Sequence, residues 1–240
     1  MRVDLALTPR GLSPQVVAGR VAVVIDVVRT STTIVTALVN GARSVIPAGS
    51  IRAARERARA LPHGTALLGG EREGERIPGF DLGNSPREYA PERVRGKTIV
   101  LTTSNGTRAL LTARAARSAA VLGLVNLRAV ARWVLEQGGD LQIICGGKSG
   151  GLALEDTVCG GLLIGRLREA GAELALADPA RAAELLADRF RGDIGRVLEE
   201  SEWARTVGRL GHREDLETCA RLDAFDVAPR FHRGAVRLAE

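Results

Sequence analysis

The stretch VAVVIDVVRTSTTIVTALVNG, residues 21–41, decides the fold prediction. Apolar and mostly β-branched residues precede Asp26, a pattern typical of a strand that is buried on both faces. A segment rich in hydroxyl groups comes next, and apolar residues at helical spacing then continue up to Asn40 and Gly41. The stretch therefore predicts a strand, a polar loop and a helix, the repeating unit of an α/β fold.

Two later stretches have the same plan, at residues 98–116 and 141–165. Together with other apolar runs they predict strands at 3–7, 21–26, 44–47, 66–68, 98–101, 119–122 and 141–145. Helical patterns separate these strands at 32–40, 51–60, 106–115, 127–136 and 155–170. This alternation predicts an α/β fold, a layered α/β/α arrangement with a largely parallel or mixed sheet.

The pattern changes after about residue 172, where helices are predicted at 179–190, 194–200 and 203–210. The last apolar segment, 227–231, is predicted to be an edge strand, because an edge tolerates Pro229. The chain of 240 residues is long enough for a substantial core. We expect a single domain over residues 1–240, with two similar lobes, 1–125 and 126–240, as the alternative.

The composition limits the classes of partner. The net charge is +6, yet the arginines are dispersed, no run of five basic residues occurs and no aromatic stacking set accompanies them. These features argue against nucleic acid and suit a small, highly negative substrate. The three cysteines form no CxxC pair, which argues against disulfides and a zinc site. With no apolar stretch of 18 residues and no signal-peptide pattern, we expect a cytoplasmic protein without membrane contact. The Ala-rich helices are compatible with a homodimer.

A long polar segment, GGEREGERIPGFDLGNSPREY at residues 69–89, lies between two predicted strands. Such a connection is uncommon in a compact domain unless it is functional or disordered. Ile77, Phe80, Leu82 and Tyr89 supply apolar anchors, so we expect it to be ordered. Its carboxylates beside guanidinium groups suit a site that holds a divalent cation together with an anion.

Polar residues follow each of the three repeated strands, where ligands of parallel sheets bind. Asp26 is placed to ligate Mg²⁺ while neighbouring amides receive phosphate. The alternative is that Ser31 caps the helix and Asp26 pairs with Arg29. The segment TTSNGT, residues 102–107, is a plausible anion cradle, and capping by Ser104 or Asn105 is the alternative.

The third polar segment, CGGKSGGLALED at residues 145–156, resembles a Walker A motif. Gln142 stands where the first glycine of that motif is required, which argues against a nucleotide P-loop. Glu155 and Asp156 could ligate metal or activate water. Their structural alternative is a favourable interaction with the helix dipole in the first turn.

The motif GER-x-G-x-x-I-x-GFDLGNSP, residues 70–86, is similar to the signature of the 2-phosphosulfolactate phosphatase family. VIDVVRTSTTIVTAL, TTSNGT, LED and a carboxy-terminal pattern that includes Asp215 extend the resemblance over nearly the whole chain. It implies Mg²⁺-dependent hydrolysis of (2R)-2-phospho-3-sulfolactate to 3-sulfolactate and phosphate, a step toward coenzyme M. The chain departs from the family at Ser104, where TTTNGT is common, and at CGGK, residues 145–148, where the family usually has CAGT.

The resemblance and the charge of that substrate suggest roles for these residues. The substrate carries about four negative charges, which require Mg²⁺ and several guanidinium or amide donors. We expect Asp26, Glu71 and Asp81 to ligate Mg²⁺, and Glu155 or Asp156 to orient the attacking water. The substrate-binding residues are expected to be the clamps Arg29 and Arg72 together with Thr30, Ser31, Asn84, Ser85, Thr103, Ser104, Asn105, Gly106 and Lys148.

Two other functions stay open at this point. DVVRT resembles the D-x-D-x-T loop of haloacid-dehalogenase phosphatases, in which Asp26 would form an aspartyl phosphate. Thr102 or Thr103 and the Glu155–Asp156 pair would then correspond to the later motifs, but Val28 replaces the second acid. The other alternative is a non-catalytic protein that binds anions or nucleotides without magnesium-dependent turnover.

Overall fold

The protein is described by a computed structural model that covers residues 1–239. Its strands are β1 (Arg2–Ala6), β2 (Val21–Ile25), β3 (Ser44–Pro47), β4 (Ala66–Arg72), β5 (Glu75–Arg76), β6 (Thr98–Thr102), β7 (Ser118–Leu122), β8 (Leu141–Cys145), β9 (Ala175–Leu176), β10 (Arg230–His232) and β11 (Ala235–Arg237). They form one sheet in the order β5-β4-β6-β3-β11-β10-β7-β2-β8-β1-β9.

The helices alternate with these strands in the first two thirds of the chain and follow one another near its end. They are α1 (Pro14–Val17), α2 (Thr32–Val39), α3 (Ile51–Arg59), α4 (Pro91–Val94), α5 (Gly106–Thr112), α6 (Leu127–Gln137), α7 (Leu154–Glu169), α8 (Asp178–Phe190), α9 (Gly195–Glu200), α10 (Glu202–Arg209) and α11 (Arg213–Cys219). The prediction of a layered α/β fold with a largely parallel, mixed sheet is confirmed.

Strand β2 is the centre of the fold. It pairs in parallel with β7 on one side and β8 on the other. Val23 and Ile25 of β2 face a core formed with α6 and α7, whereas Ala22 and Val24 face a core formed with α2 and α5. The strand is therefore buried on both faces, as its unbroken apolar sequence predicts.

The antiparallel hairpin β10–β11 joins two groups of parallel strands. Strand β10 pairs with β7 through Arg230 and Ala120, and β11 pairs with β3 through Val236 and Val45. The prediction that residues 227–231 form an edge strand is therefore wrong, because the strand begins at Arg230 and lies inside the sheet. Pro229 precedes the strand, so the ladder loses no donor.

The pairings make the β3–β6–β4 group run opposite to the β7–β2–β8–β1 group. In a flat sheet the loops that follow β2 and β6 would lie at opposite ends of the strands. They are nevertheless in contact, since the Thr30 hydroxyl donates to Thr103 Oγ1 at 3.3 Å. The two polar loops therefore meet at one site although their strands run in opposite directions.

Two further features concern the expected environment. Cys145, Cys159 and Cys219 are all buried and unpaired. Among residues 1–239, none of the helices combines the length and the apolar character needed to span a bilayer.

Candidate active site

A narrow cavity lies beyond the carboxyl end of β2. Its volume is about 10 Å³, close to the space needed for one water molecule or a small ion. The lining residues come from the loops after β2 and β6, from the 69–89 segment and from α10. They are Asp26, Val28, Arg29, Thr30, Glu71, Asn84, Asn105 and Trp203.

Backbone groups from three loops surround the Asp26 carboxylate. Its Oδ1 accepts a hydrogen bond from the Thr30 N–H at 3.1 Å. A methyl group added at Gly106 would lie 2.5 Å from Asp26 Oδ2, and one added at Gly146 would lie 3.2 Å from the same oxygen. Both glycines therefore permit a close approach to Asp26 that a larger residue would block.

Asp26 lies in a region of excess negative charge. Burial raises its pKa above the ordinary value, and the Glu71 carboxylate raises it further. The donor groups of Thr30 and the backbone amide of Gly106 lower this pKa in opposition. A divalent cation between Asp26 and Glu71 would compensate both carboxylates.

Glu71, at the end of β4, connects the 69–89 segment to the loop after β6. Its Oε1 accepts from the Ser104 N–H at 2.6 Å, and its Oε2 accepts from the Gly74 N–H at 2.9 Å. The Ser104 hydroxyl also donates to Oε2 at 3.2 Å. These donors fix the carboxylate in the cavity wall, where it is 4% exposed.

Asn84 contributes an oxygen atom that lacks a donor. The residue is 5% exposed and lines the cavity. Its amide nitrogen is 3.5 Å from Thr30 Oγ1, whereas its Oδ1 has no hydrogen-bond partner within residues 1–239. A buried oxygen without a donor is costly, and a cation or a donor on a ligand would satisfy it.

The expected metal ligands are not all brought together. Within residues 1–239, no three His, Cys, Asp or Glu side chains form a metal-binding group by themselves. Asp81 is exposed and lines a separate cavity. Its Oδ2 accepts a hydrogen bond from the Leu68 N–H at 2.8 Å, which holds the side chain in that position. Asp26 and Glu71 share the candidate active-site cavity with Asn84 instead. This set contains only oxygen ligands, which fits a hard cation such as Mg²⁺.

Arg29 lines the cavity, and hydrogen bonds to Asp215 and to Gly74 hold its guanidinium in place. Its Nη1 donates to Asp215 Oδ2 at 2.7 Å, and its Nη2 donates to the Gly74 carbonyl at 2.5 Å. The Ser85 hydroxyl donates a hydrogen bond to the other oxygen of Asp215, Oδ1, at 2.5 Å. The alternative pairing of Asp26 with Arg29 is therefore not formed, because the guanidinium is committed to Asp215.

Glu155 and Asp156 lie behind the cavity rather than in its wall. Asp156 accepts from the Val27 N–H at 2.8 Å and from the Gly147 N–H at 3.0 Å. Glu155 accepts from the Ser201 hydroxyl at 2.7 Å. Burial is the main cause that raises the pKa of both carboxyl groups. Their contacts hold the loops after β2 and β8 and the start of α10, and neither residue is among those that line the cavity.

Trp203 closes the cavity on the α10 side. Its indole N–H donates to the Val28 carbonyl at 2.8 Å, and Lys148 Nζ lies 3.8 Å from the centre of its ring. Sequence reasoning missed Trp203. Its rarity in a chain that is 3% aromatic was the one available signal.

The remaining expected substrate-binding residues fall into two groups. Those in the cavity wall are Arg29, Thr30, Asn84 and Asn105. Those that support the wall or lie beside it are Ser31, Arg72, Ser85, Thr103, Ser104, Gly106 and Lys148. Arg72, for example, donates to the Glu71 carbonyl at 2.6 Å and to Thr102 Oγ1 at 3.1 Å, so its guanidinium supports the loops.

Comparison with known proteins is consistent along the whole chain. A family model described as 2-phosphosulpholactate phosphatase matches residues 6–234. A probable 2-phosphosulfolactate phosphatase of Symbiobacterium thermophilum is 41% identical over 93% of this chain and 96% of its own. Proteins with the same description from Caldanaerobacter subterraneus subsp. tengcongensis and Clostridium acetobutylicum are 36% and 32% identical, over 91% and 98% of this chain and 90% and 100% of theirs. The chain thus belongs to the 2-phosphosulfolactate phosphatase family of phosphoric monoester hydrolases.

Proposed function

We propose that the chain hydrolyses 2-phospho-3-sulfolactate to 3-sulfolactate and phosphate with the help of Mg²⁺. The reaction follows from the family. The observation that supports the metal requirement is Asn84, which lines one small cavity with Asp26 and Glu71. Its buried Oδ1 has no donor among residues 1–239. Two carboxylates and an amide oxygen form a donor set for a hard cation, and Mg²⁺ usually keeps several waters beside one or two carboxylates.

In this proposal Asp26, Glu71 and Asn84 hold the cation, and the surrounding backbone keeps them in place. When bound, Mg²⁺ would neutralise phosphoryl oxygens and supply an activated water. The N–H groups of Thr30 and Ser104 fix the two carboxylates, so little reorganisation is needed on binding. Val28 lines the cavity and supplies no acid, which favours water over Asp26 as the nucleophile.

Arg29 is the proposed anion-binding residue of the cavity wall. Its contacts with Asp215 and Gly74 use one donor on each terminal nitrogen, and a guanidinium has five donors in all. The remaining donors can reach a phosphoryl or sulfonate oxygen. Asp215 then acts as a positioning residue that fixes the plane of the guanidinium.

The proposed substrate requires Trp203 to move. A three-carbon acid with two further anionic groups is much larger than the cavity of about 10 Å³. Displacement of the indole would open the cavity and release Lys148 from the ring. Its ammonium would then face the incoming anion, which keeps Lys148 among the proposed substrate-binding residues.

Phosphate release from 2-phospho-3-sulfolactate and from phospholactate, each with Mg²⁺ and with EDTA, tests this function. We expect turnover that requires Mg²⁺ and favours the sulfonated substrate. Equal turnover of the two substrates would show that the enzyme does not recognise the sulfonate group. Turnover that EDTA leaves unchanged would remove the metal.

A further inference from the structure

A second, larger cavity lies at the opposite end of the central strands. It has a volume of about 830 Å³ and includes Ser118 and Ala119, the first residues of β7. Strands β2 and β7 are parallel and in register, so the start of β7 is remote from Asp26, which follows the last residue of β2. This cavity is therefore separate from the candidate active site.

The walls of this cavity carry a strong positive charge. They contain His232 and six arginines, and no Asp or Glu of residues 1–239 is among the lining residues. Within that part of the chain, none of the six arginines forms a salt bridge. They are Arg57, Arg114, Arg117, Arg230, Arg233 and Arg237. We call this feature the basic cavity. The Arg117 guanidinium donates to the carbonyls of Gln137 and Gly138. Arginines that line a concave site without carboxylate partners attract a multiply charged anion.

The basic cavity also has an apolar wall. Trp133, Phe231 and Leu238 contribute apolar surface. Trp133 is 3% exposed, and its indole nitrogen has no hydrogen-bond partner among residues 1–239. The Ser118 hydroxyl of the same wall also has none in that range. Both of these atoms are buried, so this wall offers a ligand mainly apolar contact. A ligand that combines anionic groups with a planar apolar body would use both kinds of wall.

We propose that the basic cavity binds a nucleoside di- or triphosphate. The phosphates would contact the arginines of the β10–β11 hairpin, and the base would lie against the apolar wall. The volume is that of a small-molecule site and exceeds what a phosphate group alone would fill. A second copy of the chain is disfavoured because a symmetric contact would bring two patches of the same positive charge together. This inference does not depend on the proposed phosphatase function.

Calorimetric titration of the full chain with ATP, pyrophosphate and adenosine, all without Mg²⁺, tests the proposal. We expect saturable binding of ATP, binding of pyrophosphate weakened by about tenfold, and no detectable binding of adenosine, since both walls contribute. The double variant Arg230→Gln with Arg237→Gln should bind ATP about 100-fold more weakly, because each lost charged hydrogen bond costs about tenfold.

A matched control is the double variant Arg213→Gln with Arg221→Gln, which removes the same charge from α11 and the residues after it. Both arginines are exposed, and neither lines the basic cavity. This control should bind ATP as the wild type does. Equal affinity of wild type and the Arg230–Arg237 variant would overturn the proposal, as would equal affinity for ATP and pyrophosphate. Tighter binding of a dT12 oligonucleotide than of ATP, steeply weakened by salt, would also overturn it in favour of a nucleic acid.

Discussion

Arg29, in the loop after β2, and Asp215, in α11, form a buried ion pair with a separation of 2.7 Å between Nη1 and Oδ2. Their side chains are 2% and 3% exposed. The two residues are 186 positions apart in the chain, so the pair ties the last helix to the active-site loop. Because Ser85 and Gly74 also contact this pair, it joins the 69–89 segment to the same assembly.

Replacing Asp215 with Asn should destabilise the protein substantially. Removal of one partner leaves a buried guanidinium without a counter-charge, which typically costs about 3–5 kcal/mol. Urea denaturation of Asp215→Asn would measure this loss. Glu200→Gln is a suitable control, since Glu200 pairs with Arg196 at the surface and should contribute less than about 1 kcal/mol. Equal losses of unfolding free energy in both variants would show that the buried pair stabilises the protein no more than a surface pair does.

The buried Asp156 should make stability depend on pH. Burial, and then the charges of Glu155 and Asp26, raise its pKa well above the ordinary value, so the folded state binds this proton more tightly than the unfolded state. The corresponding stabilisation is complete below about pH 4, the unfolded pKa, and is lost as the pH rises through the folded pKa. Asp156→Asn should therefore lose less stability than the wild type as the pH increases from 4.

Urea denaturation of both proteins from pH 4 to pH 8 checks this expectation. The variant Asp156→Asn should also show a loss of stability that is the same at every pH, because its side-chain amide accepts hydrogen bonds only through one oxygen. Only a change in the difference between the two proteins with pH reports the titration. Parallel profiles would contradict the shift. Asp226→Asn, which alters an exposed carboxylate, should leave the pH profile unchanged.

Trp203 should report on occupancy of the active site. If the indole moves when ligand binds, titration of 3-sulfolactate in the presence of Mg²⁺ should change the intrinsic fluorescence. Trp203→Phe should abolish this signal, whereas Trp133→Phe should retain it because Trp133 lies at the other end of the sheet. A signal that follows Trp133 instead would rule out movement of the indole at this site.

Sequence patterns were sufficient for the parallel strands and for the polar loops at their carboxyl ends, because each depends on short-range apolar spacing. They were insufficient for the hairpin β10–β11, whose central position depends on pairing with strands far away in the chain. The metal ligands show the same limit. Asp81 and Asn84 lie in one motif, and only the path of the chain after β4 decides which of them lines the cavity with Asp26.

The six arginines of the basic cavity are a second feature that short-range sequence patterns do not predict. In the sequence they are dispersed, from Arg57 to Arg237, and form no basic run. The fold gathers them because α3, the residues after α5 and the β10–β11 hairpin meet at one end of β7. Charge distribution along a chain therefore does not predict charge distribution on its surface.

The most direct test of the active-site account is phosphate release from 2-phospho-3-sulfolactate as a function of Mg²⁺ concentration, for the wild type and three variants. Asp26→Asn should abolish turnover, and Asn84→Ala should raise the Mg²⁺ concentration at half-maximal rate by about tenfold or more, equivalent to about 1.4 kcal/mol of lost binding. Asp81→Asn should have the wild-type dependence on Mg²⁺. The account would be contradicted if Asn84→Ala had the same Mg²⁺ dependence as the wild type and Asp81→Asn had lost the response to Mg²⁺.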